Sequence, residues 1–135
     1  MKMTKAIREF IEEQVTERAE SASNTRLTEL HDAAELAKAN WNNALETARI
    51  AFNSQLAEMA QQFGYDYKAY DGKTYQPNIS FSCTDCRYLP EVKAYNEYKA
   101  ELNNKRNRAI KDIIVSMELG GTKKELMEMI AALEF

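Results

Sequence analysis

The first 63 residues contain no glycine and no proline. Such a stretch lacks the two residues that most readily turn a chain: glycine supplies left-handed backbone, and proline interrupts helical hydrogen bonding. It reads as helix almost throughout, so the rest of the chain must be arranged around one long arm. By contrast, all seven tyrosines, both cysteines and both prolines fall between Tyr65 and Tyr98. A compact aromatic segment is thus set between two helical ones.

Within the arm the apolar spacing is close to heptad from Leu30 onward: Leu30, Ala34, Ala37, Trp41, Ala44, Ala48 and Ala51. Steps of four and three keep one narrow seam facing a partner helix. Leu45, Phe52, Leu56, Met59 and Phe63 add a second stripe, and Gly64 stands where a helix C-terminus wants left-handed backbone. Upstream, Ile7, Ile11, Val15, Ala19 and Ala22 make a thinner stripe. Residues Ser21-Ala22-Ser23-Asn24-Thr25 are the weak point, because short polar side chains compete for backbone hydrogen bonds. Either one helix of about 60 residues, roughly 90 Å long, runs through, or the arm breaks at 21–25. A break is favoured, with Asn24 or Thr25 capping a second helix, since a first third without a partner would be poorly supported.

A returning helix is expected over 90–119, opened by Pro90. Its stripe is Tyr95, Tyr98, Leu102, Ala109, Ile113 and Met117, with Val92, Ile110 and Ile114 beside it. If the arms pair antiparallel from Phe63 and Glu91, Ile113 lies near Trp41, Leu102 near Phe52 and Tyr95 near Met59. The polar run Asn103 to Arg108 weakens that seam or lies beyond it. Gly120-Gly121 then stops the helix, and Thr122 with Glu125 forms a capping box for a last helix over 122–134. Leu126, Met129, Ile130 and Leu133 share one face of it, which predicts that it folds back on the base of the pair.

Between the arms, residues 64–89 carry Tyr65, Tyr67 and Tyr70 into Asp71-Gly72, a type I′ turn signal, and out again through Tyr75. The expected fold is therefore mainly α, in a single domain 1–135. It is a long, coiled-coil-like antiparallel helical hairpin with a small Tyr-rich β-hairpin insert at its tip and a short C-terminal helix.

Charge excludes some functions. Residues 1–63 hold seven basic and ten acidic groups, and the remainder is balanced, so the net −3 comes from the arm. That is too weak for a nucleic-acid mimic and lacks the basic footprint of non-specific nucleic-acid binding. No apolar run approaches the roughly 20 residues of a membrane span. The N-terminal residues lack the apolar stretch of a signal peptide. A cytoplasmic protein is the expectation, in keeping with two cysteines too few for a disulfide framework.

Candidate chemistry is sparse. Cys83-Thr84-Asp85-Cys86 could be an activated thiol pair, or half of a four-cysteine zinc site shared by two chains. Without a βαβ context, and with the single histidine, His31, far along the arm, unspecialised turn cysteines are expected, with no metal or cofactor. His31 is expected to be exposed or satisfied, and Trp41 to be a core residue. Lys105, Arg106, Arg108 and Lys111 could hold phosphate, but Glu101 and Asp112 flank them, which suits a solvated helix face. The helix–Gly-Gly-Thr–helix segment matches a DNA-reading helix-turn-helix poorly, because Glu125, Glu128 and Glu134 follow its lysines.

The stretch Met117-Glu118-Leu119-Gly120-Gly121-Thr122-Lys123-Lys124-Glu125-Leu126 and the Tyr-rich insert resemble small accessory proteins of bacteriophages. The resemblance covers under a third of the chain and transfers no functional residue. It implies a protein that binds and modulates a host or viral protein, for example as an inhibitor of a defence system.

Tyrosine gives large contact area at low entropy cost, with a polar tip. Tyr95 and Tyr98 are expected to pack inward. Tyr65, Tyr67, Tyr70, Tyr75 and Tyr88 are the expected partner-binding residues of a non-enzymatic interaction protein, itself a homodimer through the alanine-rich seam. A nucleic-acid-associated protein using the Lys105–Lys111 cations, and a redox or zinc protein using Cys83 and Cys86, are the alternatives.

Overall fold

The computed structural model describes residues 2–64 and 86–135. Three helices appear in it: α1 (Lys5–Gln62), α2 (Pro90–Glu118) and α3 (Lys123–Ala131), with a single 3-10 turn at Cys86–Tyr88 before α2. The described residues are mainly helical and contain no strand. The β-hairpin expected around Asp71-Gly72 lies outside the described residues.

Helix α1 starts where Thr4 accepts the Ile7 amide on its hydroxyl at 3.2 Å, satisfying one of the four orphan amides of a helix start. It ends as expected at Gly64, whose φ of 76° lets its amide reach the Gln61 carbonyl at 3.0 Å. Between these caps the helix is continuous for 58 residues, so the break expected at 21–25 does not occur. Locally, the fully buried Ser23 donates its hydroxyl to the Ala19 carbonyl one turn back, at 2.6 Å. Its side chain is thereby satisfied inside the helix and no longer competes for the backbone.

The wider reason is the register of the arms. They pair antiparallel, but Arg8 meets Glu118 at 2.8 Å and His31 meets Tyr95 with ring centroids 5.5 Å apart. Facing residue numbers thus sum to 126, where the expected pairing of Ile113 with Trp41 would give 154. Each α2 residue therefore sits 28 positions nearer the N-terminus of α1, roughly 42 Å along its axis. The expected pairs Ile113–Trp41, Leu102–Phe52 and Tyr95–Met59 are corrected accordingly. Burial explains the shift. In the observed register the aliphatic end of α2 covers Ile11 and Val15, and Ile113, Met117, Leu126 and Ile130 complete one buried cluster with them. Ile7, Ile110, Ile114, Met129, Leu133 and Phe135 pack around it. Each such side chain contributes about 1.5–3 kcal/mol when fully buried, whereas the other register would leave the whole N-terminal stripe wet. The first third of α1 is the best supported part of the helix.

Beyond this base the seam continues through Ala19 and Ser23 to Ala34 and Val92, all buried. The two weak segments lie opposite one another: residues 103–108 of α2 face the region around Ala19 to Ser23. The turn that leads into α2 lies beside the middle of α1, since Cys86 Sγ is 4.0 Å from Asn42 Oδ1. Gly64 and Cys86 are therefore separated by about 30 Å of helix, so the insert does not join adjacent ends at a hairpin tip.

Helix α3 folds back on the base as expected. Thr122 accepts the Glu125 amide at 3.2 Å and donates its hydroxyl to the Glu125 carboxylate at 3.2 Å. Arg18 Nε donates to the Leu133 carbonyl at 2.8 Å, tying the end of the fold to α1. The turn between α2 and α3 divides its labour: Gly120 supplies the positive φ of 122°, and Gly121 supplies space. A Cβ on Gly121 would run into the Met117 methyl and lie 2.6 Å from its sulfur, and Met117 is itself fully buried. Gly121→Ala is accordingly expected to cost about 1–3 kcal/mol by overpacking, read as a lower melting temperature. An unchanged melt would mean that the α2–α3 turn does not press on the core.

Candidate functional site

The largest exposed apolar side chains of the arm follow from what α1 does after its partner helix stops. From about Asn42 to Phe63 the arm continues for some 20 residues, about 30 Å, past the turn that leads into α2. Ile50, Phe52, Met59 and Phe63 are exposed there, Phe52 by 41% and Phe63 by 75%. Only Glu46, Arg49 and Glu58 carry charge between residues 41 and 63, against ten charged residues between 5 and 30. Two of the three satisfy each other. Arg49 donates to Glu46 one turn earlier, including an Nε–Oε2 bond of 3.0 Å. That bond holds the Glu46 carboxyl below its usual pKa and the Arg49 guanidinium above its own.

Trp41 is half-buried, so its core role is met only in part, and its indole N–H is enclosed without an acceptor among the described residues. Asn53, the one buried polar residue of the distal arm, likewise encloses its carbonyl oxygen without a donor among the described residues. Each such group costs about 1–3 kcal/mol. The distal arm is thus less well compensated than the base, on which the fold depends.

Of the tyrosines, Tyr88 lies within the described residues at the start of α2 and is 81% exposed. Tyr65, Tyr67, Tyr70 and Tyr75 lie outside them. Tyr95 and Tyr98 are half-buried. Tyr95 takes the His31 ring edge-on at an interplanar angle of 70° and has the Lys99 ammonium 5.8 Å from its centroid. His31 is exposed at the other side of that contact, with Asp32 at 3.5 Å and Glu35 at 3.9 Å.

The cations of α2 do not form one patch. Arg106 lines an open groove of about 590 Å³ between α1 and α2 with Ala19, Glu20, Leu27 and Leu102, and it donates to Asn103 Oδ1 at 2.7 Å. Lys105 and Arg108 border a different groove, against α3, which they share with Asp112 and Glu134. Lys111 is exposed. A period of 3.6 residues makes this separation unavoidable, since adjacent positions 105 and 106 diverge by about 100°. Of the two cysteines, Cys86 is half-buried in the 3-10 turn and Cys83 lies outside the described residues. Among the described residues no group of three or more His, Cys, Asp or Glu side chains could hold a metal ion. No helix among them is long and apolar enough to cross a membrane.

What the sequence reading misplaced is the cover over Phe52 and Met59, which were expected to lie under Leu102 and Tyr95 and are exposed in the structure. The signal for that exposure was present in the fall of charge after residue 40, but the assumed register covered it with α2.

Compared with known proteins, the chain matches no family model, no curated protein and no solved structure.

Proposed function

We propose that this chain is a non-enzymatic, cytoplasmic protein–protein interaction module that presents its tyrosine-rich segment on a long helical support. The carrying observation is Tyr88. It leads into α2 with 81% of its surface exposed, next to a segment holding four further tyrosines, on a turn anchored beside Asn42. A large aromatic held in the open beside a rigid helix suits binding, because it loses little freedom when a partner covers it. The resemblance to phage accessory proteins makes a host protein the partner class, with inhibition or modulation of that protein as the outcome.

The test is a comparison of two sets of variants against proteins captured from host lysate and then purified. Tyr67→Ala, Tyr70→Ala and Tyr75→Ala together are expected to abolish binding, since truncating a dominant aromatic commonly costs about 2 kcal/mol or more. Two such losses weaken affinity on the order of a thousandfold. Helix content by circular dichroism should not change. Alanine at Arg106 and Arg108 should alter mainly the salt dependence. Binding lost in the arginine variants and kept in the tyrosine variants would transfer the function to the nucleic-acid class.

A further inference from the structure

We infer that the distal half of α1 carries a second docking face, along Leu45, Arg49, Asn53, Leu56 and Ala60, whose occupant is the chain's own tyrosine-rich stretch 65–85. The face continues the α1–α2 seam. Ala34, Ala37 and Trp41 bring the covered stripe to the turn at Cys86, and steps of four and three carry it on to Ala60. All five residues of the face are buried or half-buried, whereas Ile50, Phe52 and Met59 beside them are exposed. At 100° per residue the five fall within a strip about 80° wide.

Asn53 marks the face as occupied. It is only 8% exposed, and a residue so enclosed touches several others, which a lone helix cannot supply. Yet it lies about 16 Å past Asn42, where the turn into α2 meets α1. Helices α2 and α3 both lie on the base side of that turn. The enclosure is complete within one chain, so a second copy is not needed for it.

Chain length selects the occupant. The chain leaves α1 at Gly64 and re-enters at Cys86 beside Asn42, a return of about 33 Å along the arm. The 21 residues between reach about 70 Å when extended, enough for one pass along the face. A detour to the seam at Ala19 and back to Asn42 would need about 100 Å. The polar groups of the face fit the same occupant. Asn53 Oδ1 and Trp41 Nε1 have no partner among the described residues, and buried polar groups are as a rule hydrogen-bonded. Every residue of 65–85 brings a carbonyl, and every one except Pro77 an amide N–H. Its tyrosines, Ile79 and Phe81 supply apolar area for Leu45 and Leu56.

The inference does not rest on the partner reading of the tyrosines, and its test uses no partner. In the full chain, a benzophenone side chain in place of Leu56 is expected to cross-link on irradiation to peptides from 65–85 of the same chain. One in place of Phe52 is not. In a second arm, residues 65–85 are replaced by 21 glycines and serines and amide hydrogen exchange is followed. Exchange at 53–60 is expected to rise at least about tenfold, while amides around Ile11 and Ile113 stay as protected as before. If the base amides also exchange faster, the cross-linking arm alone decides. No cross-link within the chain from position 56, or exchange at 53–60 unmoved by the replacement, overturns the proposal. Cross-links from 56 that join two chains make the occupant a second copy and overturn it as well.

Discussion

Ile113→Asp is expected to unfold the protein, whereas Phe52→Asp leaves the melting temperature of the monomer close to wild type. Ile113 is fully buried between Ile11, Val15, Met117, Leu126 and Ile130, where elements from both ends of the chain meet. Truncation of such a side chain alone costs about 2–5 kcal/mol. An unpaired carboxylate adds the cost of charge in an apolar site, against a total stability of about 5–15 kcal/mol for a small domain. Phe52 is 41% exposed on the distal arm, and exposed substitutions rarely exceed about 0.5 kcal/mol apart from helix propensity. Thermal melts followed by circular dichroism at low concentration decide the matter. A large loss at Phe52 with little at Ile113 would restore the register in which Phe52 faces Leu102.

The continuity of α1 makes the second large effect. Arg26→Pro is expected to destabilise the fold by about 3 kcal/mol or more, because proline removes an interior helical hydrogen bond and collides with the preceding turn. Arg26 is exposed and, among the described residues, its side chain pairs only with Glu29, at 3.6 Å, so the backbone is what is being tested. Arg26→Ala is the control and should change stability by a few tenths of a kcal/mol. Were the helix to restart with Thr25 as its cap, position 26 would be the first helical residue, where proline is well tolerated. A melt for Arg26→Pro equal to that of Arg26→Ala would therefore re-establish the break.

Local signals were legible because their causes are local. The absence of glycine and proline before Gly64, the start of α2 at Pro90, and the Gly120-Gly121-Thr122 junction with Glu125 all rest on backbone geometry or hydrogen bonds within a few residues. They appear where their chemistry requires. The placement of Leu126 and Ile130 on the core side of α3 follows from the same short periodicity.

The distribution of cations on α2 was also implicit in that period. Neighbours 105 and 106 cannot share a face, yet only the positions of α1 and α3 show that Arg106 belongs to one groove and Lys105 to another. Tyr88, expected among the partner-binding tyrosines, is exposed, and Tyr95, expected from its place in the stripe to pack inward, is half-buried. Its contact with His31 was not readable.

What the sequence determined by itself was helix: the end of the first arm at Gly64, the start of α2 at Pro90, the junction before α3, and which residues of each are apolar. What only the tertiary structure decided was which stripe meets which. Two seams of similar spacing can pair in more than one register, since periodicity repeats along α1 and names no particular turn. The choice fell to the total apolar surface buried when α3 joins the base, a quantity spread over Ile11, Val15, Ile113, Met117, Leu126 and Ile130 at once. That sum also settled Ser21 to Thr25, because packing from α2 holds a segment helical that its own propensity would have let break.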